Sequence, residues 1–225
     1  MGTIIKLKAS DGFTLGAYEA KPAGKVRGGI VVIQEIFGVN AHIRHVADRY
    51  AAEGYHAVAP AIFDRAEPNI ELEYDAKGVE RGRGIREKIP LDKTLLDVAA
   101  AVAALQVDGK VAIVGYCFGG SLAWFGATRL TGLAATVGYY GGMIAPHLDE
   151  KPRCPVMLHF GEKDQGIPMS DVEKIKAAVD PKMVQVFSYP AAGHAFNREG
   201  NQAYEADSAK LALKRTLDFL HKYIG

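Results

Sequence analysis

Val114-Gly115-Tyr116-Cys117-Phe118-Gly119-Gly120 decides the reading of this chain. It follows the apolar run Lys110–Val114, which reads as a strand, and precedes Gly120–Thr128, which reads as a helix. The pattern is Gly-x-Cys-x-Gly, a nucleophile elbow with Cys in the place of Ser. A nucleophile on a tight strand-to-helix turn needs a strained backbone. Its neighbours two residues away must be nearly bare so that strand and helix can approach, as Gly115 and Gly119 allow. Such a turn exposes the sulfur at the carboxyl end of a sheet. The helix N-terminus behind it favours negative charge, both on a thiolate and on an oxyanion.

An elbow of this kind requires an acid and a histidine further along the chain, in that order. Val156–Phe160 reads as a strand and is followed by Gly161-Glu162-Lys163-Asp164. Val184–Tyr189 reads as the last strand and is followed by Pro190-Ala191-Ala192-Gly193-His194. His194 can take the thiol proton and later deliver a proton to a leaving group. Asp164, deeper in its loop, is the expected partner of the ring, with Glu162 as its rival.

The rest of the chain alternates in the same way. Thr3–Lys8 and Phe13–Glu19 flank Asp11-Gly12 and predict an antiparallel hairpin. Gly29–Ile33 is a continuous β-branched run, suited to a strand buried on both faces. Ala41–Ala52 predicts a helix, His56–Ala59 a short strand and Leu91–Leu105 a helix. Ala134–Val137 predicts a strand, Ser170–Val179 a helix and Glu205–Tyr223 a closing helix. Strands alternating with helices predict a mainly parallel sheet covered on both faces, the α/β-hydrolase fold, as one domain over residues 1–225. Ala61–Pro90 is rich in charge and is expected to be irregular or loosely helical, where a lid or substrate loop would sit.

Composition narrows the function. The 225 residues are 48% hydrophobic and 24% charged with net charge +1, ordinary for a globular protein and without a footprint for nucleic acid. Two cysteines, Cys117 and Cys154, are too few for a disulfide scaffold. Met1–Ser10 lacks the pattern of a signal peptide, and no apolar run has the length of a membrane span. A cytoplasmic protein is expected, with no membrane partner. A monomer is slightly favoured over an oligomer. His42 and His45 have helical spacing but no cluster of Cys or carboxylate beside them, so no metal is expected. Gly82-Arg83-Gly84 lacks the third glycine and the strand of a dinucleotide fingerprint, so no cofactor is expected. His159 reads as a core residue, and Arg81, Arg83 and Arg86 as a solvated face.

Gln34-Glu35-Ile36-Phe37-Gly38, the Gly-Tyr-Cys-Phe-Gly-Gly elbow, Gly138-Tyr139-Tyr140-Gly141, the Asp164 loop and Gly193-His194-Ala195-Phe196 together resemble the dienelactone hydrolase family. The resemblance runs through almost the whole chain. It implies a triad of Cys117, His194 and Asp164. It also implies that Glu35 meets the resting thiol and helps deprotonate it when substrate arrives. The oxyanion hole would be the backbone N–H groups of Phe118 and Ile36. Arg65 and Arg198 match a clamp for a substrate carboxylate, a task suited to a planar fork, with Tyr139 a further substrate contact. The implied activity opens a small carboxylate-bearing lactone through an acyl-thioester. The alternatives are a broader carboxylesterase or thioesterase with the same triad, and a non-catalytic or redox-sensing thiol protein.

Overall fold

The structure is a computed structural model and describes residues 2–225; residue 1 of the expected 1–225 domain lies outside the described residues. Its centre is one eight-stranded sheet. The strands are β1 (Thr3–Lys8), β2 (Thr14–Ala20), β3 (Gly29–Ile33), β4 (His56–Pro60), β5 (Val111–Tyr116), β6 (Leu133–Tyr139), β7 (Val156–Gly161) and β8 (Val184–Tyr189). They lie in the order β1-β2-β4-β3-β5-β6-β7-β8. From β4 to β8 every neighbouring pair is parallel. The hairpin β1–β2 joins antiparallel at the edge, with Lys8 opposite Thr14 and β2 paired to β4.

The helices are α1 (Ala41–Ala52), α2 (Ala76–Glu87), α3 (Leu91–Leu105), α4 (Phe118–Arg129), α5 (Met169–Ala178) and α6 (Ala206–Ile224). Every residue of β3, β4, β5 and β7 is buried, as strands covered on both faces must be. Among the described residues no helix is long and apolar enough to cross a membrane.

Two departures from the sequence reading have physical causes. β5 and β6 each run two residues past their expected ends, because Gly115 and Tyr116 pair with Gly138 and Tyr139. Glycine is a poor strand former, so its presence hid that last stretch of ladder. The segment Ala61–Pro90 is more regular than expected. It holds a 3₁₀ turn, Ile62–Arg65, and the whole of α2. Three glycines depress the helical signal of α2. The Asp75 side chain caps it, accepting from the Gly78 N–H at 2.7 Å.

Because the parallel strands all end at one edge, the loops after β3, β5, β6, β7 and β8 converge there. The turn after β5 is the tightest. Cys117 has φ 55° and ψ −112°, left-handed backbone that a non-glycine residue rarely adopts. A Cβ on Gly115 would stand 1.9 Å from the Gly119 carbonyl oxygen, and one on Gly119 would stand 2.3 Å from that of Ile33. The obstacles are backbone atoms, which cannot rotate away. Gly119→Ala is therefore expected to destabilise the protein by about 3 kcal/mol or more, read as a lowered urea midpoint. A midpoint within 0.5 kcal/mol of wild type, a surface-like effect, would show that the elbow has slack.

Candidate active site

The turn at Cys117 leaves the sulfur half-buried at the floor of a cavity of about 500 Å³. That volume suits a small organic ligand. Cys117, Phe118, Ile36, Tyr140, His194 and Arg198 all line it. Two side-chain pairs flank the sulfur.

The first pair comes from the loops after β7 and β8. His194 Nδ1 donates to Asp164 Oδ2 at 2.6 Å, since an ionised carboxylate can only accept. The other oxygen, Oδ1, accepts from the Gly166 N–H at 2.8 Å, which fixes the carboxylate. With Nδ1 engaged, Nε2 is the ring nitrogen left for the sulfur. Burial of the ring opposes its charge, but the Asp164 bond and the Cys117 sulfur outweigh burial and raise its pKa to about 10. Glu162, the rival acid, is exposed and accepts from the Ser188 hydroxyl at 2.8 Å. The residue after His194, Ala195, has φ 61°, so this loop also holds strained backbone.

The second pair joins the loop after β3 to the segment before α6. Arg198 donates to Glu35 through Nε at 3.1 Å and Nη2 at 2.7 Å, a bidentate fork. Both side chains are buried. The guanidinium carbon lies 4.0 Å from the centre of the Tyr74 ring and 5.3 Å from that of Phe37. Glu35 therefore turns to Arg198, and among the described residues it makes no hydrogen bond to the Cys117 sulfur. A carboxylate removed from water is held by the adjacent cation more strongly than by a neutral thiol.

Phe118 is the first residue of α4, so its N–H has no acceptor within the helix. The Ile36 N–H also donates to no carbonyl among the described residues. Both residues line the cavity.

Two expected site residues lie elsewhere. Arg65 donates to Asp97 from Nε and Nη2 at 2.7 and 2.8 Å, and to Asp11 from Nη1 and Nη2 at 3.0 and 3.1 Å. It ties the hairpin turn to the fully buried Asp97 of α3 and does not line the cavity. Its fork is already occupied by carboxylates, so it has none to spare for a substrate. Arg65 in turn holds the Asp11 carboxyl well below the usual range. Tyr139 is also withdrawn. It is fully buried, with its hydroxyl 2.6 Å from that of Thr216, and its neighbour Tyr140 faces the cavity instead.

The cavity's cationic wall comes from α2, where Arg83 is exposed, as expected of a solvated face, and Arg86 is half-buried. Arg83 and Arg86 both line it. A Cβ on Gly82 would stand 2.0 Å from the Ile36 carbonyl oxygen, so only glycine lets α2 lie this close to the loop after β3. Arg86 sits 5.2 Å from the Phe118 ring centre and 3.4 Å from the Met143 sulfur, with no carboxylate partner among the described residues. The periodicity Val79, Gly82, Ile85 is the signal that could have oriented this helix, had its glycines not disguised it. Arg81 pairs with Glu67 at the surface, as expected of a solvated residue. His159 is a buried core residue, its ring nitrogens 2.8 Å from Tyr189 Oη and 3.1 Å from Thr216 Oγ1; burial lowers its pKa to about 3.

The chain is similar in sequence and in fold to known proteins. Residues 15–224 match the model of the dienelactone hydrolase family. The carboxymethylenebutenolidase of Pseudomonas putida is 34% identical over 224 residues, covering 96% of this chain and 94% of that protein. A carboxymethylenebutenolidase of Pseudomonas knackmussii matches with the same identity and the same shares. Among solved structures, a dienelactone hydrolase-like promiscuous phosphotriesterase from metagenomic libraries superposes with a TM-score of 0.74 at 22% identity, covering 100% of this chain and 99% of that one. An esterase of Pyrococcus furiosus does so with a TM-score of 0.74 at 14% identity, over 100% and 92%. The fold is that of the α/β-hydrolases.

Two outcomes follow from the site's charges. In Asp164→Asn the His194 titration, followed by NMR of the ring protons, falls from about 10 toward 6.5. The folded-state value lies above the unfolded one. The stabilisation from the charged ring is therefore complete below about pH 6.5 and lost as pH rises toward 10. The wild-type advantage in urea midpoint should shrink across that window; an advantage that grew with pH would refute the pairing. Arg65→Met strands Asp97 and should cost about 3–5 kcal/mol of stability. Its kcat/KM for a carboxylate-bearing substrate should stay within about twofold of wild type, below 0.5 kcal/mol. A selective loss on that substrate would return Arg65 to the site.

Proposed function

Because the chain belongs to the dienelactone hydrolase family and is a hydrolase acting on esters or lactones, we propose that it opens a small carboxylate-bearing lactone with Cys117 as nucleophile. The observation that carries this reading is Cys117 on its strained turn, in one cavity with the hydrogen-bonded His194–Asp164 pair. The thiol proton rests on His194 Nε2, whose raised pKa of about 10 keeps the ring charged near neutral pH, and Asp164 keeps the ring oriented and stabilises that charge. The sulfur attacks the carbonyl carbon, and the carbonyl electron pair moves to oxygen. The N–H groups of Phe118 and Ile36 receive that oxyanion. Collapse breaks the bond from carbonyl carbon to ring oxygen and leaves an acyl-thioester with the alkoxide still tethered. Water then attacks the thioester and gives its proton to the tethered alkoxide, since His194 still holds the proton of the thiol; the carbon–sulfur bond breaks and the sulfur takes that proton back from His194. The acid is released and the thiol regenerated.

Glu35 has a role that its ion pair supports. While it holds Arg198, its charge is spent on that guanidinium and does not face the sulfur. A carboxylate turned toward Cys117 would instead keep the sulfur protonated. Glu35 thus acts on Cys117 through which partner it faces. The substrate class rests on the cavity wall. Among the described residues Arg86 has no carboxylate partner and Arg198 keeps Nη1 unengaged, so both can meet a substrate carboxylate in the cavity they line. Arg83 adds a third positive charge at the rim. The apolar remainder, including Ile36, Phe37, Phe118 and Ile167, suits a small unsaturated ring. A reducing cytoplasm, where a free thiol survives, is the compartment this chemistry fits.

The test compares a carboxylate-bearing dienelactone with a neutral aryl ester. Cys117→Ala should abolish turnover of both. Arg86→Gln should lower kcat/KM for the dienelactone about 10- to 100-fold, the worth of one charged hydrogen bond, and leave the neutral ester nearly unchanged. A wild-type preference for the neutral ester, with Arg86→Gln silent on both, would replace the lactonase reading with a general esterase. Turnover that survives Cys117→Ala would refute the cysteine mechanism.

A further inference from the structure

Buried tyrosines in this protein find partners for their hydroxyls. Tyr50 and Tyr116 meet each other at 3.2 Å. Tyr139 meets Thr216 at 2.6 Å, Tyr189 meets His159 at 2.8 Å, and Tyr55 donates to the Gly225 carbonyl at 2.9 Å. Tyr140 is the exception. Its side chain has no exposure, and its hydroxyl has no hydrogen-bond partner among the described residues. An unmet buried hydroxyl costs about 1–3 kcal/mol, and folded proteins leave few of them.

The backbone at Tyr140 is also unfavourable. Its φ is 40°, in the left-handed region, where a bulky residue costs about 1–3 kcal/mol. The surroundings enforce that conformation. The Tyr140 N–H donates to the His159 carbonyl at 2.7 Å. The ring lies 5.0 Å from that of His194 and meets Phe196 edge-on at 5.7 Å. Both unfavourable features fall on the one tyrosine that lines the cavity beside Cys117.

We propose that Tyr140 is a catalytic residue whose hydroxyl donates a hydrogen bond to an oxygen of the substrate held against Cys117, a bond that the free enzyme lacks. The inference rests on the cysteine-hydrolase reading above and adds a third side-chain contact to it. Burial, and the nearby charge of Glu35, keep the phenol un-ionised, so it remains a donor. No proton is transferred. The hydroxyl has no exposed surface in the free enzyme, so the substrate oxygen reaches it as the ring shifts toward the cavity, a shift that the unmet hydroxyl and the strained backbone favour.

Tyr140→Phe removes the hydroxyl and keeps the ring. The expected result has three parts. The kcat/KM for the substrate that wild type turns over falls about 10- to 100-fold. The Tm is unchanged or raised, because the free enzyme sheds an unmet polar group. The pH profile of Cys117 alkylation by iodoacetamide stays as in wild type. A kcat/KM within twofold of wild type overturns the proposal, since the hydroxyl would then serve no substrate. Loss of rate with a shifted alkylation profile also overturns it, by assigning the hydroxyl to the sulfur. Loss of rate with a lowered Tm overturns it in favour of a structural role. Cys117→Ala, run in parallel, separates the two readings. Turnover surviving in that variant refutes the cysteine mechanism and this inference with it. A silent Tyr140→Phe beside an inactive Cys117→Ala refutes this inference alone.

Discussion

The approach of α4 to the ends of β3 and β5 is the constraint on which the rest of the site depends. The Gly119 N–H donates to the Gln34 carbonyl at 3.1 Å, and the Cys117 N–H to that of Tyr139 at 3.0 Å. Those two bonds lock the elbow between the strands on either side of it. The same bonds fix where the loops after β3 and β6 begin. Glu35 and Ile36 follow Gln34 directly, and Tyr140 follows Tyr139. One tight turn therefore sets the sulfur, a donor amide, an acid and a phenol relative to one another. None of these positions depends on a long flexible side chain, which is the condition for a preorganised site.

Beside the sulfur stand two charge pairs, each built on a buried carboxylate. His194 leans on Asp164, and Arg198 on Glu35. Isolated charges in such surroundings would be neutralised or would open the structure to water. Pairing lets them persist next to the Cys117 sulfur. The pairs differ in reach. Asp164 holds the His194 ring. Glu35 holds a guanidinium that stands on Tyr74 and Phe37 and still borders the cavity. A ligand bearing a carboxylate would compete with Glu35 for that guanidinium.

Much of this was legible in the sequence, and the reasons are local. The elbow is written in consecutive residues, because steric demands within a tight turn act over two positions on either side. Asp164 and His194 are legible because the fold fixes their chain order and places them after strands. Legibility ends where side chains from remote segments choose among partners. Arg65 sits in a plausible loop, yet Asp97 on α3 and Asp11 in the hairpin capture it first. No spacing rule connects those three positions. Tyr139 and Tyr140 are adjacent and chemically identical. Which one faces the cavity depends on the last residue of β6 and on a left-handed turn immediately after it. Arg86 was hidden for a different reason, since glycines chosen for close approach make a helix look like a loop.

Placement of α2 separates selectivity from chemistry. Cys117 and the amides of Phe118 and Ile36 sit at the ends of strands that are buried throughout, and His194 follows the partly exposed β8. Their geometry cannot change without disturbing the core. The cationic wall sits on a helix of 12 residues that reaches the site through one glycine and two apolar residues, Val79 and Ile85. Substitutions on the cavity side of α2 can alter charge and shape without touching the elbow. A family built this way can keep one set of reacting groups while its substrates vary. Arg86, which shares the cavity wall with Arg198 and lies over Phe118, is in this way independent of the turn at Cys117.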